Sequence, residues 1–195
     1  MEWRFSMVQR IIACLGDSIT LSGYSDVPYP QYLENSLNIA FPGNRDCVGL
    51  IGALGGTSGN ALVMCGQSII GKEYTKVSVL IGVNDLLAGD TAATIMANID
   101  TICNNLIADG KTVLLSTVLP FKGATGYTGA KQIQLDSLNA LIRARLGVTL
   151  IEGHNGLRDN GGDPEQLNPT YAAPDLLHIN AAGAQAFAAL LFAAV

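Results

Sequence analysis

Charge is scarce in this sequence. Only 14% of its 195 residues are Asp, Glu, Lys or Arg, and the 11 basic ones stand singly along the chain. Without a Lys/Arg cluster there is no footprint for a phosphate backbone, so nucleic acid is not an expected partner. Long apolar runs are lacking too. The longest, AAGAQAFAALLFAAV at the C-terminal end, is 15 residues, is interrupted by Gln185 and is too short to span a bilayer. The opening MEWRFSMVQR has no uninterrupted apolar stretch before Arg10, so no signal peptide is expected. The default expectation is a cytoplasmic chain, or a secreted one if a leader has been removed.

Cysteine is sparse: Cys14, Cys47, Cys65 and Cys103. None pairs as CxxC and none has a histidine at zinc spacing, so no structural metal is expected. Cys103 falls in a helical apolar pattern and reads as a buried thiol. Cys47 and Cys65 are a candidate disulfide, which sequence alone does not decide.

The nucleotide-binding signatures are missing as well. GQSIIGKE, residues 66–73, matches GxxxxGK but carries Glu73 where a magnesium-binding Ser or Thr belongs. NNLIADGKT has Asn105 in place of the first glycine. Both read as chance matches. No GxGxxG follows the first strand, and the elbow GxSxG is absent. No cofactor is expected.

What is present is a compact globular composition, 49% hydrophobic with 22 glycines, of a length that suits one domain over 1–195. Short β-rich runs alternate with helical periods. Strands are expected at 10–16, 46–52 (weak), 76–82, 111–118 and 148–153. Helices are expected at 28–40 and 58–70. The clearest helix is 90–110, where Ile95, Ile99, Ile102 and Leu106 repeat at helical spacing between an Asp90 or Thr91 cap and a Gly110 stop. A further helix over 128–147 carries the stripe Leu135, Leu138, Ile142 and Leu146, with Gly147 as its stop. Asn180 caps a last helix. Five strands alternating with helices imply a parallel sheet covered on both faces, an α/β fold. The stretch 153–174 reads as a long polar loop of the kind that carries function.

Four short stretches carry candidate chemistry. Ser18, in CLGDSITLSG, lies just past the first strand, where open α/β sheets bind ligands. The chain has only two histidines, so the search for a general base is short. His154 sits in a glycine-flanked loop. His178, in APDLLHINAAG, has Asp175 three residues upstream, a spacing that can place a carboxylate against the imidazole. Asn84, in VLIGVNDLL, stands at the end of the central apolar strand, from which its amide can reach a developing oxyanion. GGTSGN supplies a glycine N–H at close approach. Separately, each reads equally well as a turn or a cap. Tyr24, Tyr29 and Phe121 are candidates to line the site or to be ordinary packing.

Taken together, GDSIT, a loop glycine, GVND and DLLH occur in the order and spacing of the SGNH (GDSL-type) hydrolases, which the chain resembles from residue 11 to its end. That resemblance implies a three-layer α/β/α, flavodoxin-like fold with a five-stranded parallel sheet of order 2-1-3-4-5. It implies Ser18 as nucleophile, His178 as base and Asp175 as the residue that orients it. The oxyanion hole would comprise the N–H of Ser18, that of Gly59 (with Gly56 as the alternative) and the side chain of Asn84. Asp17 and Asp85 fit the motifs without a derived catalytic role. The glycine block lacks the asparagine that often precedes it, and HIN replaces the common HPN. The implied substrate is a small-molecule ester, with short acyl chains expected because no long apolar lid is present. Acetylated sugars come second, and lysophospholipids or thioesters are further options on the same scaffold.

Overall fold

The computed structural model describes residues 10–21 and 24–195. The N-terminal reading of 1–9 lies outside the described residues. In chain order the elements are β1 (Ile11–Gly16), α1 (Tyr29–Ala40), β2 (Cys47–Gly52), α2 (Ser58–Ser68), β3 (Lys76–Leu80), α3 (Val83–Ala88), α4 (Ala92–Ala108), β4 (Thr112–Ser116), α5 (Gly129–Ala144), β5 (Thr149–Ile151), α6 (Gly153–Leu157) and α7 (Ala181–Phe192). The five strands form one parallel sheet of order β2-β1-β3-β4-β5. This is the α/β architecture that the alternation implied.

The pattern of apolar residues explains the layers. β1 and β3 are buried along almost their whole length because helices cover both faces of the sheet. Ile95, Ile99, Ile102 and Leu106 of α4 are fully buried, as are Leu33 and Leu37 of α1. Thr91 caps α4 by accepting from the N–H of Thr94, and Gly110, at φ +77°, follows its end. Asn180 caps α7 by accepting from the N–H of Gly183 at 3.0 Å.

Several local expectations need correction. The helix expected to reach Gly147 stops at Ala144, because Arg145 turns to extended backbone (ψ 117°). Leu146 therefore leaves the apolar stripe and is 82% exposed. The central strand ends at Leu80, and VNDLLA forms the short helix α3 behind Gly82, whose φ of +120° a side chain rarely adopts. His154 lies in helix α6 rather than in a loop. Cys47 and Cys65 do not pair: all four cysteines are free, with Cys47 exposed on the edge strand and Cys65 on the buried face of α2.

Candidate active site

β1 and β3 are neighbours, with Gly16 opposite Leu80, so the segments leaving their C-terminal ends share one sheet edge. Ser18 comes two residues after Gly16. There is no room for a side chain at Gly16: a Cβ would lie 2.1 Å from Thr20 Oγ1 and 2.6 Å from the Leu80 carbonyl. Asp17 organises the turn, its Oδ1 accepting from the N–H of Ile19 at 2.9 Å and its carbonyl accepting from Thr20 and Leu21. Its other carboxyl oxygen is buried without a hydrogen-bond partner among the described residues. Burial pushes the Asp17 carboxyl up to about 7, against the opposing Ile19 N–H and the nearby His178.

His178 reaches Ser18 from the far end of the chain. The loop before α7 is closed by a bridge between Ala172 and Ile179 and by the N–H of Ala173 donating to the carbonyl of His178. Asp175 Oδ1 accepts from the backbone N–H groups of Leu177 and His178 at 3.1 and 3.0 Å. Its Oδ2 lies 2.6 Å from His178 Nδ1, and His178 Nε2 lies 2.8 Å from Ser18 Oγ. An ionised carboxylate only accepts, so Nδ1 carries the hydrogen and Nε2 faces the hydroxyl as acceptor. Burial acts to raise the Asp175 carboxyl, but the hydrogen bonds from the His178 backbone and ring and from Leu177 outweigh it and hold it below the usual range.

Asn84 stands in the first turn of α3, and its Nδ2 donates to the carbonyl of Gly56 at 3.0 Å. Its second amide hydrogen has no acceptor among the described residues. The two candidate glycines differ. Gly56 touches Asn84, but its own N–H is spent on the Ala53 carbonyl at 3.0 Å. Gly59 lies in the first turn of α2, and its N–H has no acceptor among the hydrogen bonds of the described residues. The N–H of Ser18 likewise has none there. Next to Asn84, Asp85 is buried and accepts from the N–H of Ser58 and from its hydroxyl. Neither Ser58 nor Asn98, which donates to the Ser58 hydroxyl at 2.9 Å, was singled out in the sequence. The only signal was the serine within GGTSGN, which reads as one more turn residue.

Of the three aromatic candidates, Tyr24 alone is at the site: its ring centre lies 5.3 Å from that of His178, and the residue is 56% exposed. Tyr29 and Phe121 are fully buried core residues. His154 is not brought to Ser18. It is buried, and burial, with Arg143 nearby, holds its pKa below the ordinary value. The lysine of the second phosphate-loop look-alike, Lys111, is buried and bonds the carbonyls of Lys72 and Tyr74. Among the described residues no group of three or more His, Cys, Asp or Glu side chains can hold a metal ion. Nor, among them, is any helix long and apolar enough to cross a membrane. Two surface cavities, of about 620 and 290 Å³, are lined by residues of the β2 edge and of the α4–α5 face, and neither contains Ser18 or His178.

The fold is shared with several crystal structures. A lipase/acylhydrolase from Enterococcus faecalis superposes with a TM-score of 0.78 at 21% identity, over 95% of this chain and 94% of that one. A GDSL-like lipase from Bacteroides thetaiotaomicron gives 0.74 at 21% identity, over 95% and 87%. LAE5, an alpha/beta hydrolase enzyme from the metagenome of Lake Arreo, gives 0.76 at 20% identity, over 95% and 94%. No curated protein sequence matches the chain. Residues 14–186, from the end of β1 into α7, match the GDSL-like Lipase/Acylhydrolase family. That match spans most of the chain and every motif on the sheet edge, so the chain belongs to this SGNH-type family and is a carboxylic ester hydrolase.

Proposed function

We propose that the chain acts as one SGNH-type domain over 1–195, a serine carboxylesterase for short-chain acyl esters that works through an acyl-enzyme. The observation that supports this most is the unbroken series Asp175 Oδ2–His178 Nδ1 at 2.6 Å and His178 Nε2–Ser18 Oγ at 2.8 Å. In this reading His178 takes the hydroxyl proton as Ser18 attacks the ester carbonyl, and Asp175 holds the tautomer and stabilises the imidazolium. The tetrahedral oxyanion is met by the N–H groups of Ser18 and Gly59 and by the second amide hydrogen of Asn84. Gly59 is preferred to Gly56 because its N–H is unspent and lies at the positive end of α2. The alcohol leaves protonated by His178, and water repeats the sequence on the acyl-enzyme. No cofactor enters these steps.

A second reading on the same site, an O-acetylesterase for acetylated sugars, is favoured by Tyr24. Its exposed ring beside His178 offers a flat face to a sugar. The test is hydrolysis of p-nitrophenyl esters from acetate to laurate, with wild type and Ser18→Ala side by side. Activity should peak at the short chains and vanish in the variant. Undiminished hydrolysis by Ser18→Ala would remove Ser18 as nucleophile. A wild type inert on every chain but active on an acetylated sugar would move the assignment to the second reading.

A further inference from the structure

Asp85 is the second carboxyl that the motifs contain and the mechanism leaves unused. It is 3% exposed, and among the described residues no Lys or Arg pairs with it. A buried carboxylate is costly unless its oxygens are bonded. Here the bonds come from one residue. The N–H of Ser58 lies 3.0 and 2.9 Å from the two carboxyl oxygens, and the Ser58 hydroxyl donates to Oδ1 at 2.6 Å. Ser58 is the first residue of α2, an 11-residue helix, so the positive end of its dipole adds to the compensation. Asn98 of α4 completes the arrangement. Its Nδ2 donates to Ser58 Oγ at 2.9 Å, which occupies a lone pair and directs the hydroxyl hydrogen to Asp85.

The neighbours of these residues give the cluster its meaning. Asp85 follows Asn84 in the same turn of α3. Ser58 precedes Gly59 and comes two residues after Gly56, whose carbonyl already holds Asn84. The first-turn donors of α2 are also divided. Ser58 N–H goes to Asp85, Asn60 N–H goes to Thr57 Oγ1, and the N–H of Gly59 is left over. We infer that Asp85, Ser58 and Asn98 form a buried clamp that positions the oxyanion donors, fixing the side-chain donor of α3 against the backbone donor of α2. The inference rests on the proposed role of Asn84. Asp85, Ser58 and Asn98 are positioning residues: none touches the reacting atoms.

The test compares wild type with Asn84→Ala, Ser58→Ala, Asp85→Asn and the double variant Asn84→Ala/Asp85→Asn. The readouts are kcat and KM on the best p-nitrophenyl ester, the rate of labelling by a serine-directed phosphonate, and thermal unfolding. Asn84→Ala should lose about 10²–10³ in kcat. Ser58→Ala and Asp85→Asn should each lose about 10- to 100-fold in kcat and slow the labelling, with KM within about twofold of wild type. The double variant should lose less than the product of its two single losses, because one residue acts through the other. If Asn84→Ala is impaired while folded Ser58→Ala and Asp85→Asn keep kcat within about threefold of wild type, the clamp is overturned and the oxyanion reading stands. A fully multiplicative double variant overturns the clamp as well. Asn84→Ala within about threefold of wild type overturns the oxyanion reading itself, and the clamp with it. Should Asp85→Asn not fold, the half-buried Asn98→Ala takes its place, with an expected kcat loss of about three- to tenfold; wild-type kcat in that variant overturns the clamp.

Discussion

Leu176 sits between Asp175 and His178 with a φ of +57°, the only described non-glycine residue in the left-handed region. That conformation costs a non-glycine residue of order 1–3 kcal/mol and persists only where its surroundings enforce it. The enforcement is visible: its own N–H donates to the Ala173 carbonyl, and Asp175 Oδ1 holds the next two backbone N–H groups. The reversed residue lets a carboxylate and an imidazole three positions apart share one side of a tight turn. Leu176→Val adds β-branching where it is least tolerated, and should lower kcat about tenfold or more with KM within about twofold. Leu176→Gly relieves the strain and should stay within about threefold of wild-type kcat. Steady-state kinetics on one ester checks both; equal losses in the two variants would mean that the backbone reversal is not what matters.

At the level of elements, α6 carries a pH dependence of its own. His154 is buried, and burial first, then Arg143 and Arg158, depress its pKa, with Asp136 and Asn155 opposing. The unfolded ring, at about 6.5, therefore binds a proton before the folded one does. The contribution of His154 to stability should be level above that value and decline as the pH falls through it; Asp17, raised to about 7 by burial, acts in the opposite sense and loses stability as the pH rises toward that value. In urea unfolding, the stability of wild type relative to His154→Leu should fall as the pH is lowered from 8 to 5; a difference independent of pH would acquit His154. The elements also show what could be read beforehand. α4 has 17 residues and several full apolar periods, so its extent and caps were legible. α3 and α6, with six and five residues, contain no complete period, and GVND and EGHNGL read as turns. Ser18, Asp175 and His178 stood out as candidates only as a set, because GDSIT, GVND and DLLH occur together in the order of the SGNH hydrolases; having only two histidines merely shortened the search for a base. The Asp85 clamp could not, since Ser58 is 27 residues from Asp85 and 40 from Asn98. Only the sheet order, which brings the ends of β2 and β3 to either side of β1, sets the stage for that meeting.

For the whole molecule, stability lies in the apolar layers between sheet and helices, away from the edge that carries Ser18. Ile99→Ala empties a fully buried site in α4 and should cost about 2–5 kcal/mol, or roughly 5–15 °C in Tm. Leu146→Ala, at an 82% exposed position, should change stability by no more than about 0.5 kcal/mol. Thermal unfolding separates the two; a comparable loss from Leu146→Ala would mean that this side chain is covered in solution. The contact between Ser18 and His178 spans 160 residues, and in a growing cell that separation is also an interval. At about 5–20 residues per second, the ribosome makes the serine about 8–32 s before the histidine proposed to activate it. A chain stopped or cut anywhere between them carries the hydroxyl but cannot use it. The proposed nucleophile is made well before the partner that would let it act.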